Sequence, residues 1–191
     1  MQLCFATNNA HKLDELRQLV GSKIELQSLQ EIGCTEEIPE TGNTLQANAL
    51  EKAIYIKNLY GINCFADDTG LEVDVLNGSP GVFSARYAGE PSNSENNVNL
   101  LLKNLAGIAN RKARFRTVIA LLIDNNTPLY FEGIVEGNIA HAPSGKGGFG
   151  YDSVFIPKGL SCTFAEMTST DKNSISHRGK AVEKLVKFLN S

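Results

Sequence analysis

The 191-residue sequence has no C-x-x-C pair, no apolar run approaching membrane length and no excess of basic charge. Each absence excludes something. The four cysteines, Cys4, Cys34, Cys64 and Cys162, are widely spaced and show no metal-ligand rhythm, which argues against a structural zinc site and for reduced thiols in a cytoplasmic setting. The first apolar run, Leu3 to Ala6, is too short for a signal sequence and lacks a basic start, and nothing later could span a bilayer. A formal net charge of -3 excludes a general nucleic-acid binder, so an anionic ligand must be met by a local cluster of Lys and Arg. There is no G-x-x-x-x-G-K-[ST] phosphate loop, no internal repeat and no low-complexity linker, so residues 1–191 read as one domain.

What is present is an alternation of strand-like and helix-like segments. Leu3 to Ala6 reads as a strand. The polar stretch Thr7-Asn8-Asn9-Ala10-His11-Lys12 follows, and then Leu13, Leu16, Leu19 and Val20 recur at helical spacing. A strand, polar loop and helix in that order place backbone N–H groups and a positive dipole end where an anion can be held. Lys12 at that helix start is either an exposed lysine or a phosphate contact. A second helix is expected from about Thr44 to Leu59, with Asn43 or Thr44 as its cap and Lys52 in its middle.

Strands Ile62–Ala66 and Leu71–Val75 are expected to flank a corner at Asp67-Asp68-Thr69-Gly70. Two adjacent carboxylates after an apolar run are costly unless a cation offsets them. Asp67 and Asp68 are therefore either a solvated turn or an oxygen-donor site for Mg²⁺ or Mn²⁺. Asn93 to Leu105 reads as a helix. Arg114–Ile123 and Pro128–Ile139 read as long antiparallel strands, joined by a tight turn at Asn125-Asn126. A second lobe would be built on that hairpin.

Gly145-Lys146-Gly147-Gly148-Phe149-Gly150 satisfies G-x-G-x-x-G, but its context fails the dinucleotide fingerprint. Ala142-Pro143-Ser144 precedes it, and a strand-like Tyr151 to Pro157 follows where a helix is required. The glycines instead read as a surface loop, or as a place where backbone approaches a flat ligand beside a stacking Phe149 or Tyr151. Near the C-terminus, Lys172, His177, Arg178 and Lys180 precede an amphipathic helix bearing Ala181, Leu185, Phe188 and Leu189. Ser176 is a candidate cap for that helix. These groups are either a solvated basic helix start or donors to a carbonyl-bearing base or a phosphate.

Six segments in register resemble the inosine triphosphate pyrophosphatase family, house-cleaning enzymes that act on noncanonical purine nucleotides. They are Ala6 to Lys12; Glu40-Thr41-Gly42 with Asn48-Ala49 and Lys52-Ala53; Ala66 to Leu71; Pro80 to Tyr87; Gly148 to Asp152; and Ser176 to Gly179. Asn8 stands where many members have glycine, which its tolerance of left-handed backbone would accommodate, and Thr69 stands where many have serine.

The resemblance implies an α/β fold, an elongated mixed β-sheet flanked by helices, with two lobes around a central active-site cleft, and usually a homodimer. It implies hydrolysis of ITP, dITP and XTP at the α–β phosphoanhydride, giving the monophosphate and pyrophosphate. By the same resemblance Glu40 and Asp68 would hold Mg²⁺, or Mn²⁺ in its place. Asp68, with Asp67 beside it, would take a proton from water, while Lys12, Thr7, Asn8, Asn9, Ala10, His11, Lys52 and Thr69 would grip the phosphates. Phe149 would stack on the purine, among Gly150, Tyr151, Asp152, Lys172, His177 and Arg178. The expected partner is a small-molecule purine nucleoside triphosphate, with no nucleic acid and no membrane. A related pyrophosphatase for modified or pyrimidine nucleotides, or a non-catalytic nucleotide sensor, would share much of this pattern.

Overall fold

A computed structural model describes residues 2–20, 24–124 and 127–191. Its strands are β1 (Gln2–Phe5), β2 (Glu25–Gln27), β3 (Cys64–Val73), β4 (Lys112–Leu122), β5 (Leu129–Ile139) and β6 (Phe155–Pro157). They form one sheet in the order β2-β1-β3-β4-β5-β6. Pairing is parallel from β1 to both β2 and β3, and antiparallel between β5 and β6, so the sheet is mixed as expected. The helices are α1 (Ala10–Leu19), α2 (Leu45–Tyr60), α3 (Ser94–Asn104), α4 (Ser169–Ile175) and α5 (His177–Leu189). None of the described helices is long and apolar enough to cross a membrane.

The helix ends follow from local chemistry. Asn9 caps α1 by accepting from the Lys12 N–H, and Thr44 caps α2 by accepting from the Ala47 N–H at 3.1 Å. Gly61, at φ +66°, ends α2 in a left-handed turn. Asn93 caps α3 in the same manner as Thr44.

The chain divides into two compact units. The first comprises Met1–Asp68, Thr117–Gly133 and Arg178–Ser191, and the second Thr69–Arg116 and Ile134–His177. In the first, the two-residue period of β1 and β3 sorts side chains onto two faces. Leu3, Phe5 and Phe65 pack with Leu16 of α1 and Ala181, Val182 and Leu185 of α5. Cys4, Ala6, Cys64 and Ala66 point the other way, onto Ala53 and Ile56 of α2. Small residues on that face let the 16-residue α2 lie close to the sheet. The second unit has its own core, in which Leu71 and Val73 meet Leu101 of α3 and Leu105 just after it, together with Phe115, Phe155 and Phe164.

Several expectations need correction. Asp67-Asp68-Thr69-Gly70 is no corner, because β3 runs unbroken for ten residues through all four positions. Gly70 serves close approach instead, since a Cβ there would sit 2.6 Å from the Gly81 carbonyl oxygen. The strand expected over Tyr151–Pro157 is reduced to Phe155–Pro157, with turns before it, and β2 was not anticipated. Asn8 does not use left-handed backbone; Asn77 and Asp124 are the described non-glycine residues that do. The Asn125-Asn126 turn lies outside the described residues.

The cysteines are free, and Cys4 and Cys64 are wholly buried. Burial pushes the Cys4 thiol up to about 12 and Cys64 to about 11, so neither supplies thiolate near neutral pH. A thiol-disulfide reagent at pH 8 should modify the half-buried Cys162 first, and Cys4 and Cys64 only after denaturant is added. Mass mapping of the labelled peptides over time checks this.

Candidate active site

Asp67 and Asp68 are neighbours in sequence but not partners. Because β3 continues through them, the period that sends Phe65 toward α1 and α5 sends Asp67 there too. Asp68 follows Cys64 and Ala66 toward α2. Each carboxylate therefore meets a different set of cations.

On the first face, Asp67 has no solvent-exposed side-chain surface. Lys12 of α1 donates to its Oδ1 at 2.9 Å, and Arg178 of α5 lies 3.3 Å from its Oδ2 through Nε. The far end of Arg178 is paired with Glu15 of α1. Lys12 and Arg178 thus face Asp67 and Glu15, two cations against two anions, and the cluster is charge-balanced. Burial alone would raise Asp67, but Lys12, Arg178 and Lys52 outweigh it and hold the carboxyl well below the usual range. Burial lowers Lys12, and the positive charges of Lys52 and Arg178 add to that effect. Arg178, also buried, is nevertheless raised by Asp67 and Glu15.

On the opposite face, Lys52, only 5% exposed in the middle of α2, pairs with Glu40 and lies 3.9 Å from Asp68 Oδ1, so two carboxylates flank its ammonium. Burial raises Asp68 above the ordinary carboxylate range against the pull of Lys52 and Lys12, and Glu40 adds to the rise. Lys52 is raised in turn, because Asp68 and Glu40 overcome its desolvation. Asn48, one helical turn before Lys52, donates from Nδ2 to Asp68 Oδ2 at 3.0 Å.

This net-negative, oxygen-only pair suits a hard divalent cation, and the Lys52 ammonium already stands as a positive group drawn to both carboxylates. Among the described residues no group of three or more His, Cys, Asp or Glu side chains is placed to hold a metal. Glu40 and Asp68 would need water or ligand oxygens to complete a coordination shell, as Mg²⁺ commonly does.

The chain leading from β1 into α1 brings Thr7, Asn8, Asn9, Ala10 and His11 to the helix start. Thr7 Oγ1 accepts from the Asn9 N–H at 3.2 Å. Asn8, Asn9, Ala10 and His11 are exposed and Thr7 half-buried. Thr69 follows Asp68 on β3 and is half-buried.

The second unit holds a separate cluster. Asp152 Oδ2 accepts from the Phe149 N–H at 2.9 Å and from Lys172 Nζ at 2.7 Å. The Lys172 ammonium also lies 5.1 Å from the Phe149 ring centre and 5.7 Å from that of Phe164. His177 stacks on Phe115, with ring centres 4.6 Å apart and planes 18° from parallel. Gly148 explains the glycine-rich loop. Its φ is +69°, and a Cβ there would lie 2.1 Å from Asp152 Oδ2, so only glycine lets Asp152 reach the Phe149 amide. Of the two aromatic rings offered for stacking, Phe149 keeps exposed surface. Tyr151 is buried and donates its hydroxyl to the Ser84 carbonyl at 2.9 Å. Gly150 follows Phe149 at φ +62°.

Of the residues singled out from sequence, Lys12, Asp67 and Arg178 come together, as do Glu40, Lys52 and Asp68. Phe149, Asp152 and Lys172 form a third group. Two participants were missed. Glu15 lies one turn after Lys12 on the same face of α1, and Asn48 lies four residues before Lys52 on α2. Helical spacing could have found both.

The sequence pattern of the Ham1 family matches residues 3–188. A dITP/XTP pyrophosphatase of Porphyromonas gingivalis is 57% identical over 189 residues, covering 98% of this chain and 97% of the relative. One of Bacillus subtilis is 45% identical over 189 residues, covering 97% and 96%. Among solved structures, a HAM1 protein from Coxiella burnetii superposes with a TM-score of 0.91 at 38% identity, covering 100% of this chain and 98% of that one.

The two carboxylates should respond in opposite ways to neutralisation. Asp67→Asn leaves the buried Lys12 without its counter-ion and removes one of the two carboxylates paired with Arg178, and should cost about 3–5 kcal/mol. Asp68→Asn removes a carboxylate already destabilised by burial and should leave stability unchanged or slightly raised. Urea unfolding midpoints of the two variants check the contrast.

Proposed function

The chain belongs to the Ham1 family, and from that premise we propose that it hydrolyses noncanonical purine nucleoside triphosphates. The substrates are ITP, dITP and XTP, cut at the α–β phosphoanhydride to the monophosphate and pyrophosphate. The observation that carries the reading is the unequal environment of two adjacent carboxylates. Asp67 is paired with Lys12 and Arg178, while Asp68 is buried beside Lys52 and Asn48 and raised above its ordinary range by that burial.

When bound, Mg²⁺ or Mn²⁺ held by Glu40 and Asp68 would neutralise triphosphate charge. Asp68 is the base that takes a proton from the attacking water, with the Asn48 amide and the Lys52 ammonium beside its carboxylate. Asp67 keeps Lys12 in place at the start of α1. There Lys12, the hydroxyl of Thr7, the Asn9 side chain and the backbone amides around Asn8, Ala10 and His11 are suited to phosphate oxygens, and the Thr69 hydroxyl is a further phosphate donor. Lys52 adds a second ammonium on the Asp68 side.

Phe149 offers the stacking face for the purine, and Asp152 fixes both the loop carrying Phe149 and the Lys172 ammonium. Lys172 and His177 supply donors for the 6-oxo group, with Arg178 anchoring the same segment through Asp67 and Glu15. Adenine's 6-amino group would leave those donors unpaired, a penalty a buried site exploits strongly. The family resemblance supports a homodimer as the working unit, and four free thiols are in keeping with a cytoplasmic nucleotide pool.

With Mg²⁺ present, ITP, dITP and XTP should be turned over well ahead of ATP, GTP and pyrimidine nucleotides, with pyrophosphate as the first product. Chelation by EDTA should stop the reaction, and Asp68→Asn should lower kcat by roughly 10²–10⁴-fold. Separate assays for pyrophosphate and orthophosphate across a base panel decide the matter. Orthophosphate as the first product, or tight ITP binding without turnover, overturns the reading.

A further inference from the structure

We propose that Asn48 is a positioning residue that sets the two metal-binding carboxylates relative to each other, an inference that rests on the pyrophosphatase reading above. Asn48 is 1% exposed, and both ends of its amide are committed. Oδ1 accepts from the Gly42 N–H at 2.7 Å, and Nδ2 donates to Asp68 Oδ2 at 3.0 Å. One planar group thus joins the segment that carries Glu40 to the strand that carries Asp68. The Glu40 segment has a second tether, from the Thr41 N–H and hydroxyl to Glu51, but that one is exposed and does not reach Asp68.

The choice of residue follows from charge. Glu40 and Asp68 already place two anions beside the Lys52 ammonium. An aspartate at position 48 would add a third and replace the donor by an acceptor, and a lysine there would compete with an incoming cation. A neutral amide restrains Asp68 without altering the charge, and with Oδ2 held by Asn48 it is Oδ1 that faces Lys52. Gly42 is the matching half of the device. A Cβ there would lie 2.7 Å from the Ala47 Cβ and 2.8 Å from Asn48 Oδ1, so only glycine brings the backbone amide within reach.

The test is Mn²⁺ binding without nucleotide, followed by the free-ion electron paramagnetic resonance signal, for the wild type, Asn48→Ala and Gly42→Ala. Circular dichroism and urea midpoints run alongside. Partners that orient metal ligands typically contribute 10–100-fold to affinity. Both variants should weaken Mn²⁺ binding within that range while remaining folded. Their turnover of ITP at low metal should fall and should recover in part as metal is raised, which a purely structural defect would not produce. Should Asn48→Ala fail to fold, Gly42→Ala decides alone, because it keeps the Asn48 amide and crowds it from the Gly42 side. Mn²⁺ affinity within twofold of wild type in the folded variants overturns the inference, as does a wild type that binds no Mn²⁺. Failure of the wild type to release pyrophosphate from ITP overturns the functional reading instead and leaves the Mn²⁺ comparison readable.

Discussion

A carboxylate with no access to water, Asp67, is the fixed point of the first unit. Lys12 comes to it from α1 and Arg178 from α5, and Glu15 closes the circle by taking the other end of Arg178. Buried ion pairs seldom add net stability over an apolar replacement, but losing one partner is severe because the remaining charges cannot reach solvent. Such a cluster therefore specifies an arrangement more than it strengthens one. It holds the start of α1, with its exposed amides, at the end of β1, and it ties the C-terminal helix to the same strand. The apolar contacts of Leu16, Ala181 and Leu185 with Phe5 and Phe65 supply the burial that makes the arrangement stable.

The Asp68 side is built differently. Glu40 and Asp68 both lie beside the Lys52 ammonium in a largely buried setting, and burial, with a smaller push from Glu40, raises the proton affinity of Asp68. The Phe149–Asp152–Lys172 cluster follows a different rule. Its one carboxylate is satisfied by a backbone amide and an ammonium, so it orders a loop and presents donors.

Much of this was legible in the sequence, and what was missed has physical causes. The helices were readable because Leu13, Leu16 and Leu19, or Ala49, Ala53 and Ile56, repeat at helical spacing, and Thr44 is a good cap. Ordered segments shared with a family singled out Glu40, Lys52 and Asp68, and Phe149 and Lys172, which the fold brings together in two groups. The geometry of Asp67 and Asp68 was not recovered, since a glycine two residues on read as a turn. Gly70 is there because the Gly81 carbonyl comes too close for any side chain, a long-range contact that no local pattern reports. Burial of Lys52 and Arg178 was equally hidden, because a lysine or arginine in a polar stretch gives no local sign of a partner far along the chain.

The unbroken run of β3 has a further consequence for how this protein can change. The division of labour between its two aspartates depends on parity alone. Phe65 and Asp67 share one face, Cys64, Ala66 and Asp68 the other. A substitution in this stretch alters one side chain, but inserting or deleting a single residue ahead of Asp67 exchanges every later side chain between faces. Asp68 would then face Lys12 and Arg178, and Asp67 would face Lys52. The strand thus behaves like a reading frame, in which spelling can drift while length is locked.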